Sequence, residues 1–218
     1  MTREARPRAI LFDWDNTLVD TWPVIHAALN ATLEAFGHEA WTLAETQARV
    51  RRSLRDSFPG LFGARWRDAG DYFYERFAAI HIDALVALPG AGPMLAALDD
   101  RGLYLGVVSN KKGEYLRREA AHLGWEGHFG RLIGALDTAA DKPARAAVES
   151  ALSGSGIAAG PQVWFAGDTD IDMQCAVNAG CVPVLVRAEA PREGEFPGFA
   201  PARHVPGCLA LSNLVLEL

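Results

Sequence analysis

The stretch Ile10-Leu11-Phe12-Asp13-Trp14-Asp15-Asn16-Thr17-Leu18-Val19 decides the fold. Three apolar residues run into two carboxylates spaced i, i+2, and the turn-forming pair Asn16-Thr17 follows. The apolar run reads as a buried strand, with the carboxylates where it ends. In an extended chain, positions i and i+2 point to the same side. Asp13 and Asp15 are therefore expected to face one crevice outside the carboxyl end of a sheet strand, where open α/β proteins place their ligands. Two acids held together repel, so the arrangement is costly without a cation or a shared proton. A nucleophilic carboxylate beside a proton-transferring one is a use that matches the cost. Taken alone, Asp-x-Asp also suits a strand that simply ends in a turn, because Asp is common in turns. The rest of the chain separates these readings.

Three more strands are expected. Tyr104-Leu105-Gly106-Val107-Val108 ends at Ser109-Asn110, Val163-Trp164-Phe165-Ala166 ends at Gly167-Asp168, and Val182-Pro183-Val184-Leu185-Val186 ends near Arg187. Each is apolar at consecutive positions, as expected for strands covered on both faces. A weaker candidate is Arg131-Leu132-Ile133-Gly134-Ala135. Helical spacing marks 92–101, 113–123 and 171–179, the last stopped by Gly180 as a C-cap. A helix over 143–152 is expected to open with Pro143 in its first turn and to close at the loop Ser153-Gly154-Ser155-Gly156. Strand and helix alternate, so the class is α/β, a doubly wound parallel sheet with a Rossmann-like core.

Residues 21–88 break the alternation. They are poor in strand patterns and rich in Ala, Arg, Trp and Phe. Helices are expected at 23–36, 43–51 and 65–85, with Pro59-Gly60 as a break and Pro89-Gly90 as the exit. This reads as a small α-helical cap inserted after the first strand, leaving 1–20 and 89–218 as the α/β core. Residues 188–206, rich in Pro, Gly and charge, read as a surface loop.

Composition excludes several classes. The 218 residues are half hydrophobic, enough for a sizeable core, and the net charge of −6 gives no general attraction to nucleic acid or an anionic membrane. No apolar run approaches the ~20 residues that span a bilayer. The charged start Met-Thr-Arg-Glu-Ala-Arg-Pro-Arg lacks the apolar core of a secretory signal. Cys175, Cys181 and Cys208 form no CxxC pair. They read as reduced packing residues of a cytoplasmic protein, and no zinc-ligand spacing is present.

The strand ends gather chemistry. Asp13 and Asp15, Ser109 and Asn110, and Gly167-Asp168-Thr169-Asp170-Ile171-Asp172 all follow strands, and Asp141-Lys142-Pro143 starts a helix. Several carboxylates, a hydroxyl and an ammonium thus converge on one face of one sheet. Hard carboxylate oxygens suit Mg²⁺, which usually completes its shell with substrate phosphate oxygens. Such an ion removes the repulsion between the acids and lets an anion approach them.

The ordered set Asp13-Trp14-Asp15-Asn16-Thr17-Leu18, Val107-Val108-Ser109-Asn110, Lys142-Pro143 and Gly167-Asp168-Thr169-Asp170-Ile171-Asp172 resembles the four motifs of the haloacid dehalogenase superfamily. The likeness is to its Mg²⁺-dependent phosphatases with a small helical cap, phosphoglycolate phosphatases among them. It covers nearly the whole chain. The resemblance implies that Asp13 attacks phosphorus to form an aspartyl-phosphate. Asp15 would protonate the leaving oxygen and then deprotonate water. Mg²⁺ would be held by the Asp13 side chain, the Asp15 backbone carbonyl and Asp168, with Asp172 orienting metal-bound water or Lys142. Ser109 and Lys142 would hold the phosphoryl oxygens. Family members acting on halides or phosphonates lack an acid at the Asp15 position, so its presence here implies phosphate-ester chemistry. The same resemblance leaves open a phosphosugar mutase, or a phosphate-binding protein without turnover.

Among the remaining residues, Arg49, Arg51, Arg52 and Arg55 cluster in the expected cap. They suit either a solvated helix face or a contact to a second anionic group, with Arg55 the residue expected at substrate. Asn110 is expected at substrate or as a helix cap. Lys111 and Lys112 read as surface cations, Asp170 as a turn former, and the tryptophans as packing. The reading is a hydrolase of a small phosphorylated metabolite.

Overall fold

The computed structural model describes residues 6–50 and 52–218. The first five residues of the charged N-terminal stretch, and Arg51, lie outside the described residues. The short strand β1 (Ala9–Phe12) is buried along its whole length. Ile10 and Phe12 join the apolar cluster on one face, while Ala9 and Leu11 join the cluster on the other. This alternation with both faces covered is why the strand reads as continuously apolar.

Two short strands, β2 (Val19–Asp20) and β3 (Val86–Ala87), pair antiparallel and bracket an all-helical excursion. It contains α1 (Trp22–Ala35), α2 (Leu43–Arg49), α3 (Leu54–Phe62) and α4 (Trp66–Ile80). A separate apolar cluster of Leu29, Leu33, Phe58, Phe62 and Ala69 holds α1, α3 and α4 together. Helix α3 departs from expectation, because Pro59 stands inside it. Proline cannot donate to the Arg55 carbonyl one turn back. Burial of Phe58 and Phe62 on the same helix face outweighs that loss. The break comes instead at Gly63, whose φ of 56° lies in the left-handed region.

After α5 (Ala91–Asp100) the chain alternates through β4 (Tyr104–Lys112), α6 (Gly113–His122), β5 (Arg131–Ala135), α7 (Arg145–Leu152), β6 (Val163–Gly167), α8 (Asp170–Ala179) and β7 (Val182–Val186). It ends with β8 (Arg203–Val205) and α9 (Cys208–Leu216). The six-stranded sheet has the order β5-β4-β1-β6-β7-β8, and every pairing in it is parallel. Helices cover both faces, which confirms the α/β class.

Several boundaries differ from expectation, and the helix expected over 65–85 stops at Ile80. Strand β4 runs four residues past Val108, because its pairing with β5 shifts register there and resumes at Lys112 opposite Ala135. Helix α7 starts at Arg145, not at Pro143: Ala144 is extended (ψ 135°), and the Lys142–Pro143 peptide is cis. The expected loop at 188–206 contains β8, which adds an edge strand beside β7. Among the described residues no helix is long and apolar enough to cross a membrane.

Candidate active site

The sheet order places β4, β1 and β6 side by side, so their carboxyl ends open into one crevice. Asp13 stands immediately after β1, and its amide donates to the Ala166 carbonyl at 2.8 Å. The following residues form a tight turn: the Leu18 and Val19 amides donate to the Trp14 carbonyl at 3.0 and 3.2 Å. Asn16 sits at φ 62°, a left-handed position that Asn tolerates, and its side chain accepts from the Thr21 amide at 3.3 Å. The turn keeps Asp13 and Asp15 close while sending Trp14 into the core, fully buried.

Lys142 reaches this crevice from the segment before α7. Its Nζ lies 2.6 Å from Asp13 Oδ1 and 2.7 Å from Asp172 Oδ1. The other oxygen of Asp172 is also occupied: Thr169 donates to Oδ2 from its amide at 3.0 Å and from its hydroxyl at 2.7 Å. Gly167 permits this packing, because a Cβ there would lie 2.4 Å from Asp172 Cβ. Asp168 completes the group, with its Oδ1 3.4 Å from the Thr17 hydroxyl. Ligand oxygens of Asp13, Asp168 and Asp172 lie within 4.8 Å of one another. Asp170 begins α8 outside that group.

Three carboxylates around one ammonium leave negative charge uncompensated. Burial, and then the neighbouring acids Asp172 and Asp15, push Asp13 up to about 7 against the pull of Lys142. Burial and the charges of Asp172 and Asp13 hold Asp168 well above the usual carboxylate range. Burial opposes the Lys142 ammonium, but Asp13 and Asp172 outweigh it and raise its pKa. A cation placed among Asp13, Asp168 and Asp172 would reverse the carboxylate shifts. The donor set is all hard oxygen, which fits a divalent ion such as Mg²⁺.

Asp15 faces a different partner. Lys111 Nζ lies 2.7 Å from Asp15 Oδ1 and 2.5 Å from Glu119 Oε2. Lys111 is therefore not the surface cation expected, for its side chain is only 4% exposed. Glu119 is a residue that the sequence reading does not single out. It is fully buried on α6 and also accepts from Trp14 Nε1 at 2.7 Å and pairs with His81 Nδ1 at 2.8 Å. Burial acts against the Glu119 carboxylate, but its bonds to His81, Lys111 and Trp14 prevail and hold its pKa below the usual value.

A cavity lies above these residues, between the sheet edge and the helices α1 to α4. Asp13, Asp15, Ser109, Asn110, Lys142 and Asp168 line its floor. Ser109 is buried, and its Oγ accepts from the Lys111 amide at 3.2 Å, leaving the hydroxyl proton to donate. Asn110 also braces Lys142: its Oδ1 accepts from the Lys142 amide at 2.9 Å, and its Nδ2 donates to the Lys142 carbonyl at 3.3 Å. The walls are largely apolar, with Ile25, Leu29, Phe58, Phe73 and Phe77 among them.

Arg55 does not line this cavity. Its guanidinium pairs with the buried carboxylate of Asp141 at 2.6 Å, which joins α3 to the segment that carries Lys142. Arg49 and Arg52 line the cavity instead. Arg49 is held by Glu45 at 3.0 Å and lies over the Trp41 ring. Among the described residues, Arg52 has no ion-pair partner.

Residues 10–186 match the family model for haloacid dehalogenase-like hydrolases. A phosphoglycolate phosphatase from Xylella fastidiosa is 33% identical over 186 residues, spanning 84% of this chain and 80% of that protein. A phosphoglycolate phosphatase from Rhodobacter capsulatus is 28% identical over 218 residues, spanning 95% of this chain and 96% of its own. The crystal structure of a HAD-superfamily hydrolase from Ehrlichia chaffeensis aligns with a TM-score of 0.68 at 26% identity, covering 99% of both chains.

Proposed function

The chain belongs to the haloacid dehalogenase-like hydrolases, and on that footing we propose that it is a Mg²⁺-dependent phosphomonoesterase that works through an aspartyl-phosphate on Asp13. The observation that carries this reading is the contact of Asp13 with Lys142 at 2.6 Å, inside a group of buried acids at the carboxyl ends of β1 and β6.

Each side chain has a task. Lys142 engages Asp13 Oδ1, which leaves Oδ2 to attack phosphorus. As the Asp13–phosphorus bond forms, the bond to the leaving oxygen breaks, and Asp15 supplies that oxygen's proton. Asp15 then takes a proton from water as the water oxygen attacks phosphorus, and the Asp13 carboxylate and inorganic phosphate are released. Ser109 donates to a phosphoryl oxygen, and Lys142 offsets the phosphoryl charge. Asp13, Asp168 and the Asp15 backbone carbonyl would hold Mg²⁺, with Asp172 fixing Lys142 beside them. When bound, the ion would neutralise the acids and counter the charge of the phosphoryl group.

Residues 21–88 would act as a cap that closes over the substrate. Support comes from the cavity, whose floor belongs to the sheet and whose walls belong to α1, α3 and α4. The substrate is a small phosphorylated metabolite. Phosphoglycolate is a candidate through the relatives that carry its name. Three buried free cysteines suit a reducing, cytoplasmic setting.

The test is phosphate release from a panel of phosphorylated metabolites and a generic aryl phosphate, with Mg²⁺ and with excess chelator. Release that requires the ion is expected. Absence of release from every ester in the presence of Mg²⁺ would refute the proposal, and isomer formation without net release would identify a mutase instead.

A further inference from the structure

We propose that Lys111 and Glu119 are positioning residues for Asp15, holding its carboxylate where it transfers the proton. This rests on the reading of Asp15 as the acid that serves the leaving oxygen.

Lys111 Nζ stands between two carboxylates, 2.7 Å from Asp15 and 2.5 Å from Glu119. A buried lysine needs one counter-charge to be tolerated, and Glu119 already provides it. The second contact falls on the side chain whose aim matters to the chemistry. Glu119 in turn has little freedom. Its carboxylate is fully buried and bound from three directions by Trp14, His81 and Lys111. Trp14 lies between the two aspartates, so its indole bond to Glu119 ties the same short turn down a second time. The indole is also wedged edge-on against Trp125 and Phe129. Asp15 is thus fixed through its backbone by Trp14 and through its carboxylate by Lys111, and both supports end on Glu119. A carboxyl group held in place by locked neighbours meets the leaving oxygen with less reorganisation.

His81 extends the arrangement to the helical excursion. It closes α4, its ring stacks on Phe77 at 5.0 Å, and its hydrogen bond goes to Glu119 at 2.8 Å. Its other nitrogen is buried without a hydrogen-bond partner. The place where the helices rejoin the core is therefore registered on the carboxylate that steadies Asp15.

The experiment compares kcat/KM for ethyl phosphate, whose leaving oxygen needs a proton, with 4-nitrophenyl phosphate, whose leaving oxygen needs little. This parameter reports the transfer to Asp13, before water enters. Lys111→Met is expected to lose ~10–10² more on ethyl phosphate than on the aryl ester, a fraction of the ~10²–10⁴ that general acid catalysis supplies. Glu119→Gln should show the same signature at smaller size. A single variant that leaves an unpaired buried charge can fail to fold. The double variant Lys111→Met/Glu119→Met removes both charges together and should keep the selective loss in a folded protein. Equal loss on both esters, or none, in a folded variant would overturn the proposal and mark the pair as structural. Asp15→Ala is run in parallel. If it shows the selectivity and the Lys111 and Glu119 variants do not, only the positioning proposal falls. If Asp15→Ala shows no selectivity, the acid assignment falls and takes the proposal with it.

Discussion

With the proposed ion at its site, the acid group around Asp13 should make stability depend jointly on pH and on Mg²⁺. In the metal-free fold Asp13 titrates at about 7, against an ordinary value of 3.8, because of burial and its acidic neighbours. A raised carboxylate binds its proton more tightly folded than unfolded. Between about pH 4 and pH 7 the folded chain therefore holds more protons than the unfolded one, and stability falls as pH rises through that window. A displacement from 3.8 to about 7 corresponds to about 4 kcal/mol lost by pH 8. For a chain of this size each kcal/mol moves Tm by ~2–4 °C, so the metal-free protein should melt roughly 8–16 °C lower at about pH 8 than at about pH 4 on this account alone. A cation that replaces the proton offsets part of the loss. Mg²⁺ at a hundredfold its Kd should add about 2.7 kcal/mol at about pH 8 and much less near pH 5, where protons occupy the ligands. Thermal melts across pH, with Mg²⁺ and with chelator, measure both curves. With ordinary carboxylates the Mg²⁺ stabilisation would already be at its plateau near pH 5. A stabilisation that is flat between about pH 5.5 and pH 8, or one that survives Asp168→Asn unchanged, would refute the placement of the ion among these acids.

Asp13→Asn should drop turnover to below about 1% while the chain stays folded, because an amide is nearly isosteric but far less nucleophilic; phosphate release and circular dichroism together check it. Asp168→Ala should raise the Mg²⁺ concentration for half-maximal activity at least ~10-fold, through loss of a hard oxygen ligand, as an activity titration would show. Arg52→Ala should raise KM ~10–100-fold for an ester carrying a second anionic group and barely affect an aryl phosphate, the size expected for a lost charge-assisted bond of about 1.5–3 kcal/mol. Arg55→Ala should behave differently. It strands the buried Asp141 carboxylate, and since Arg55 is 27% exposed the loss is discounted to about 2–3 kcal/mol, read in a denaturant melt.

The parallel sheet is legible in the sequence because β1, β4, β6 and β7 are apolar at consecutive positions and each ends at a polar turn. The residues that meet in the crevice are legible for a related reason: Asp13 and Asp168 stand just past β1 and β6 and Ser109 stands in the second half of β4, while Lys142 opens the segment before α7, so the order of the elements brings them together. Helix α3 is hidden, since Pro59 argues against it locally and only the burial of Phe58 and Phe62 overrides that. Arg55 is misplaced for want of a partner visible nearby, as Asp141 lies 86 residues away. The arginine cluster can be seen, but which member turns toward the cavity depends on how α3 sits against the segment before α7.

Lys111 shows the same limit most sharply, and also the signal that overcomes it. Beside Lys112 it reads as one of two surface cations. Its burial depends on Glu119, and Glu119 stands on the buried stripe of α6 with Tyr115, Leu116 and Ala120. A carboxylate at an apolar position of an amphipathic helix is costly unless a buried cation or several donors meet it. That requirement follows from the residue spacing of α6 by itself, and few basic residues nearby could satisfy it. Arg117, Arg118 and His122 are exposed, so the demand falls outside the helix, on the strand before it, where Lys111 is one residue past Asn110. Asp15, the proposed acid, and Glu119, a buried acid that must be neutralised, share one ammonium, because one buried lysine between two carboxylates meets both needs with fewer desolvated charges than two separate ion pairs.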